Sequence, residues 1–125
     1  MSRPTVAVVG ASANPRKFGN KAVRAFKNAG YDVYPINLAT PEIEGLKVFK
    51  SLDDLPIDRL DTVTIYVPPE VALGLLDQVA RKAAGEVWLN PGTARKDVVA
   101  KAEELGLNTI QGCSILGVGE QPDRL

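Results

Sequence analysis

The residues with the plainest chemical potential run Val6-Ala7-Val8-Val9-Gly10-Ala11-Ser12-Ala13-Asn14-Pro15-Arg16-Lys17-Phe18-Gly19. They read as a buried strand, a sharp turn of small residues and the start of a helix. Such a turn aims backbone N–H groups and the positive end of a helix dipole at one point, which is the geometry that binds phosphate. Arg16, Lys17 and Lys21 crowd the same helix start. The dipole disfavours cations there by roughly 0.3–1 kcal/mol each, and a bound polyanion removes the conflict. Two plainer readings stand beside this one. The loop can be a tight strand-to-helix turn with no ligand, and Lys21, Arg24 and Lys27 can be the solvated face of the helix.

The loop departs from the dinucleotide fingerprint G-x-G-x-x-G, with Ser12 and Pro15 where the second and third glycines would stand. Ser12 is still small, and its hydroxyl can donate to a phosphate oxygen. A dinucleotide enzyme usually ends its second strand on an acid that holds the ribose 2′-OH. Here that end is Pro35-Ile36-Asn37, and Asp32 lies at the opposite end. NAD is therefore disfavoured, while NADP, with its extra phosphate, stays open.

Two more segments bear on the same edge. Pro68-Pro69 is either a strand stop and helix start or a ligand wall, and Asn90-Pro91-Gly92 is either a plain turn or a contact. Arg95 and Lys96 near the following helix start are a weak second hint of an anion. Cys113 reads as a structural or incidental small residue. The sequence contains no histidine. That excludes His-based acid–base catalysis, a Ser-His-Asp triad, His metal ligands and a phosphohistidine intermediate. No catalytic or metal-binding residue is assigned.

These loops need a frame. Strands are expected at Thr5–Val9, Asp32–Ile36, Thr62–Val67, Glu86–Leu89 and Leu107–Ile110, with a short edge strand at Gly45–Phe49. The first helix should run from about Gly19 to Ala29, with Ala22, Val23, Phe26 and Ala29 on one face and Gly30 after it. A second, opened by Pro68-Pro69, should bury Val71, Leu75, Leu76, Val79 and Ala83 and stop at Gly85. A third should turn Val98, Val99, Ala102 and Leu105 inward. Ser51 is placed to cap a helical turn through Leu55, and Gly112–Leu125 reads as a tail. Strands alternating with amphipathic helices specify an α/β fold: a Rossmann-like, doubly wound parallel sheet in three αβα layers. Its ligand edge gathers the loops Gly10–Gly19, Ile36–Pro41, Val67–Pro69 and Leu89–Thr93.

Length and composition agree with one domain over 1–125: 125 residues, 45% hydrophobic, formal net charge zero. The balance excludes a general affinity for nucleic acid. No apolar run suits a bilayer, and no signal-peptide pattern opens the chain, so no membrane role and a cytoplasmic location are expected. One cysteine fits a reducing compartment. The charge is uneven: residues 1–31 hold six bases and no acid, and the remainder hold all fifteen acids against nine bases.

The stretches VAVVGASANPRKFGN at 6–20, GYDVYPIN at 30–37, SLDDLP at 51–56, TIYVPPE at 64–70 and GCSILG at 112–117 together resemble the CoA-binding domain family. These are small Rossmann-like proteins related to the N-terminal part of the succinyl-CoA synthetase α subunit and of ADP-forming acyl-CoA synthetases. The resemblance covers nearly the whole chain in order. It implies coenzyme A or an acyl-CoA as the ligand. The diphosphate would lie on Gly10, Ala11, Ser12, Asn14, Lys17, Phe18 and Gly19. The nucleotide end would meet Pro35, Ile36 and Asn37. Val67, Pro68, Leu89, Asn90 and Pro91 would border the pantetheine arm. Asn90-Pro91 stands where those synthetases carry Thr-Glu. They also use further domains and a phosphorylated histidine, so the expectation is a standalone holder of CoA and not a ligase. Two other readings remain. One is an NADP-dependent oxidoreductase with Tyr66 as the nearest proton donor. The other is a CoA-sensing regulatory subunit that docks on a protein partner, or on its own copy, through 117–125.

Overall fold

A computed structural model describes residues 3–125. The first strand, β1 (Thr5–Val9), is almost wholly buried. Its β-branched run suits a strand covered on both faces. Helix α1 (Phe18–Asn28) follows, then β2 (Asp32–Ile36). A two-strand antiparallel hairpin, β3 (Glu42–Ile43) and β4 (Leu46–Lys47), leads to a 3-10 turn at Leu52–Asp54. Then come β5 (Thr62–Ile65), α2 (Pro69–Arg81), β6 (Glu86–Leu89), α3 (Lys96–Glu104), β7 (Thr109–Gln111) and a short α4 (Ser114–Gly117). A last 3-10 turn spans Pro122–Arg124.

The main sheet is parallel, in the order β2-β1-β5-β6-β7. Strand side chains alternate between two cores. Val6, Val8 and Val33 pack with Ala22, Val23 and Phe26 of α1 and Ile115 of α4. Ala7, Val9, Val63, Ile65, Val87 and Leu89 pack with Ala72, Leu76 and Val79 of α2 and Val98 and Ala102 of α3. This is the expected three-layer, Rossmann-like α/β domain. The strand order turns back beside β1, which puts the ligand edge at the carboxyl ends of β1, β2 and β5.

Several local expectations are corrected. The edge strand at Gly45–Phe49 is instead the arm of a hairpin that turns on Glu44 and Gly45, both at positive φ (52° and 77°). Only Phe49 reaches the main sheet, through a parallel bridge to Ile36. Ser51 does not cap a backbone N–H; its hydroxyl donates to Asp54 Oδ2 at 3.0 Å. Strand β5 ends at Ile65, before Tyr66 and Val67. Val71 is half exposed (52%), and Ala83 lies beyond α2 at φ 47°. In α3 only Val98 and Ala102 are buried, and Val99 and Leu105 are half-buried.

The tail is not loose. Ser114 and Ile115 are fully buried. Lys21 Nζ donates to the Pro122 carbonyl at 2.9 Å, and Asn28 Nδ2 to Glu120 Oε1 at 3.1 Å. No helix among the described residues is long and apolar enough to cross a membrane.

Candidate functional site

The site starts at Gly10. Its φ of +86° turns the chain sharply out of β1, and a Cβ there would press on Val67 Cγ1 at 3.0 Å and on the Tyr66–Val67 backbone at 3.1–3.2 Å. Only glycine permits both. Gly19 is required for a different reason: a Cβ on it would collide with the Gly10 carbonyl oxygen. The two glycines let α1 begin directly against the end of β1.

The loop between them is tied down by its own side chains. Ser12 Oγ accepts the Asn14 N–H at 3.1 Å, and Asn14 Oδ1 accepts the Arg16 N–H at 3.0 Å. From below, buried Asn20 donates to the Ser12 carbonyl at 2.9 Å and to Glu44 Oε2 at 3.1 Å. Arg24 donates to Asn20 Oδ1 at 2.8 Å and to the Pro15 carbonyl at 2.7 Å.

The loop's amides divide into two sets. The Gly10 and Ala11 N–H groups both donate to the Ile36 carbonyl at 3.2 Å, so they are taken. The N–H groups of Ser12, Ala13, Phe18 and Gly19 have no hydrogen-bond partner among the described residues. Helix α1 has no side-chain cap at Lys17 and no acid in its first turn. No side chain of the helix's own first turn therefore offsets its positive end; the Glu44 carboxylate reaches that turn, held on Asn20. Among the described residues, the Arg16 and Lys17 side chains, both exposed, make no hydrogen bond or ion pair. Lys21, Arg24 and Lys27 behave differently: each donates to a backbone carbonyl, of Pro122, Pro15 and Glu44 respectively. They hold the fold together and are not simply a solvated face.

Two clefts open at this edge. One, of ≈ 460 Å³, lies between Ser12, Lys17–Gly19, Tyr66 and Pro91. The other, of ≈ 570 Å³, is walled by Leu38, Ala39, Lys50–Leu52, Val67 and the Val71, Gly74, Leu75 and Gln78 flank of α2. Gly10 and Asn37 line both. Asn37 joins the loops: its Nδ2 donates to the Ala11 carbonyl at 2.8 Å, and its Oδ1 accepts the Ala39 and Thr40 N–H groups at 2.7 and 3.1 Å.

Of the residues expected at the site, Gly10, Ala11, Ser12, Lys17, Phe18, Gly19, Asn37 and Pro91 line the polar cleft, and Ile36 and Val67 the apolar one. Asn14, Pro35, Pro68, Leu89 and Asn90 line neither. Leu89 and Asn90 are fully buried. The Asn90 amide donates to Thr64 Oγ1 at 2.7 Å and to the Ile65 carbonyl at 2.9 Å, and its oxygen accepts the Ser114 N–H at 2.9 Å. This side chain fastens the tail beneath the site. The structure adds Tyr66, Lys50 and the α2 flank. Val71 and Gly74 carried a readable signal, an apolar residue and a glycine on an otherwise exposed helix face.

Tyr66 closes a buried polar chain. Its hydroxyl lies 3.0 Å from Ser114 Oγ, which lies 2.6 Å from Thr64 Oγ1. Burial, only partly offset by the Ser114 hydrogen bond, pushes the Tyr66 phenol up to about 12. It stands on the cleft wall as a neutral hydrogen-bonding group.

Sheet order and flanking helices together define a Rossmann-like α/β domain. The chain belongs to the CoA binding domain family, whose model matches residues 4–119. It is 31% identical, over 97% of its length, to the Acetate–CoA ligase [ADP-forming] I subunit alpha of Pyrococcus furiosus, of which it spans 29%. It is also similar to the uncharacterized protein YneT of Bacillus subtilis, at 26% identity over 88% of this chain and 81% of that one. Among solved structures it matches a hypothetical protein from Pyrococcus horikoshii with a TM-score of 0.82 and 31% identity, covering 90% of this chain and 79% of that one. The chain spans less than a third of the synthetase subunits it matches.

Proposed function

We propose that this chain binds coenzyme A or an acyl-CoA, with the diphosphate at the start of α1. The observation that carries the reading is the set of unpartnered N–H groups at Ser12, Ala13, Phe18 and Gly19, beside the unpaired Arg16 and Lys17. Unpartnered backbone donors at a helix start that carries no acid of its own in the first turn favour a diphosphate over a neutral ligand. Family membership supports CoA as the molecule that carries it. The Ser12 hydroxyl accepts from Asn14 and keeps its own proton for a phosphate oxygen.

The adenosine end lies in the apolar cleft, against Ile36, Val67, Val71 and Gly74. The pantetheine arm leaves past Tyr66 and Pro91. Tyr66 donates a hydrogen bond there; burial pushes its phenol up to about 12, away from the near-neutral range that suits a general acid. That weakens the reading as an NADP-dependent oxidoreductase. The role proposed is a holder of CoA, with no residue of the chain assigned to covalent chemistry.

Mass spectrometry of the small molecule retained after gentle purification tests this reading. A CoA species is the expected result, and a retained nicotinamide dinucleotide would overturn it.

A further inference from the structure

Beyond the diphosphate site, we infer that Lys50 forms a second anion subsite that recognises a phosphomonoester on the ligand's adenosine ribose. The inference rests on the nucleotide reading above and adds to it the group that decides between closely related nucleotides. Phe49 is bridged to Ile36: its N–H donates to the Pro35 carbonyl, and its carbonyl accepts the Asn37 N–H, both at 3.0 Å. The next residue is Lys50. The chain thus returns, after the β3–β4 hairpin, to place a lysine beside the carboxyl end of β2.

In dinucleotide-binding sheets that position meets the adenosine ribose, and an acid there takes a ribose hydroxyl. Here the charge is inverted. Of the residues lining the apolar cleft, Lys50 alone is charged. Among the described residues its ammonium makes no hydrogen bond or ion pair. The nearby acids are engaged elsewhere: Asp53 pairs with Arg81 at 2.8 Å, and Asp54 accepts the Ser51 hydroxyl at 3.0 Å. Asn37 does not substitute for it: its side chain is neutral and already tied to Ala11, Ala39 and Thr40. Since Gly10 and Asn37 line both clefts, a ribose lying over them has its diphosphate toward α1 and its hydroxyl edge toward Lys50.

Two ligands carry this chemistry: CoA, with a 3′-phosphate, and NADP, with a 2′-phosphate. Titration calorimetry with CoA, dephospho-CoA, NADPH and NADH separates them, on the wild-type chain and on Lys50→Met and Lys50→Arg. The expected result is that CoA binds about tenfold more tightly than dephospho-CoA, that Lys50→Met abolishes the preference, and that Lys50→Arg keeps most of it. Unchanged dephospho-CoA affinity in Lys50→Met shows that the variant is folded. CoA binding with no preference, or with one that Lys50→Met leaves intact, overturns the subsite and spares the CoA reading. A Lys50-dependent preference of NADPH over NADH, with CoA inert, upholds the subsite and overturns the CoA reading. No binding of any of the four overturns both.

Discussion

Asn37 Nδ2 donates to the Ala11 carbonyl at 2.8 Å, so one side chain sets the spacing between the loop that ends β1 and the loop that ends β2. Asn37→Ala leaves the Ala11 carbonyl and the Ala39 and Thr40 amides without that partner. We expect CoA affinity to fall roughly tenfold and stability by about 1 kcal/mol, read by calorimetry and by denaturant unfolding. Asn37→Asp should cost more affinity than Asn37→Ala, because it adds negative charge where both clefts meet.

Gly19→Ala tests the close approach of α1 to β1. The new methyl group would strike the Gly10 carbonyl oxygen, a backbone atom that cannot rotate away. A loss of about 1–3 kcal/mol is expected, read as a Tm lower by roughly 5–15 °C. A Tm equal to that of the wild type would show that the loop is looser than described.

Gly74 separates ligand space from packing. It is exposed in the middle of α2, and a Cβ there meets nothing within 4 Å. Nothing in the fold requires a glycine, which costs about 1 kcal/mol relative to alanine in a helix. Gly74→Ala should raise stability by about 0.5–1 kcal/mol in denaturant unfolding. Gly74→Leu, which fills the cleft, should keep a folded chain and weaken CoA binding. Unimpaired CoA binding by Gly74→Leu would move the adenosine out of this cleft.

Tyr66 should leave a mark at alkaline pH. Up to its ordinary value of 10.0 the phenol is neutral in folded and unfolded chains alike, and its contribution is constant. Between pH 10 and about 12 the unfolded chain loses the proton first. The folded state then binds more protons than the unfolded one, and stability falls as pH rises. The step is roughly 2 kcal/mol. Chemical denaturation from pH 9 to 12 should show it in the wild type, over and above the slope of Tyr66→Phe. Parallel pH profiles for the two proteins would mean that Tyr66 is more solvated than its surroundings imply.

Much of this was legible in the sequence because it is local. The run Val6–Val9, the turn at Gly10 and the periodic apolar face of α1 specify themselves within a few residues, as does Asp32–Ile36. What was not legible depends on contacts between distant segments. The carbonyl that removes the Gly10 and Ala11 amides from the site belongs to Ile36. Asn90 looked like a ligand residue because it ends a strand on the correct edge. Its fate was decided by Thr64 and Ser114, which turn it inward. Gly112–Leu125 read only as a tail; it holds the four-residue α4, fixed by Ile115 in the α1 core and by the Pro122 carbonyl on Lys21. Lys50 has no local signature, since only the fold of the hairpin brings it beside β2.

The central claim is that the uncapped start of α1 holds the diphosphate of a CoA nucleotide. Arg16 and Lys17 are exposed and unpaired, so their joint replacement leaves the fold intact. The most direct measurement is a calorimetric titration of CoA into the wild-type chain and into the Arg16→Ala, Lys17→Ala double variant, with NAD(H) and NADP(H) as controls. The account predicts saturable one-to-one heat with CoA and none with the nicotinamide nucleotides. It also predicts an affinity at least tenfold weaker in the double variant. Heat from a nicotinamide nucleotide with none from CoA, or a double variant that binds CoA as tightly as the wild type, would contradict it.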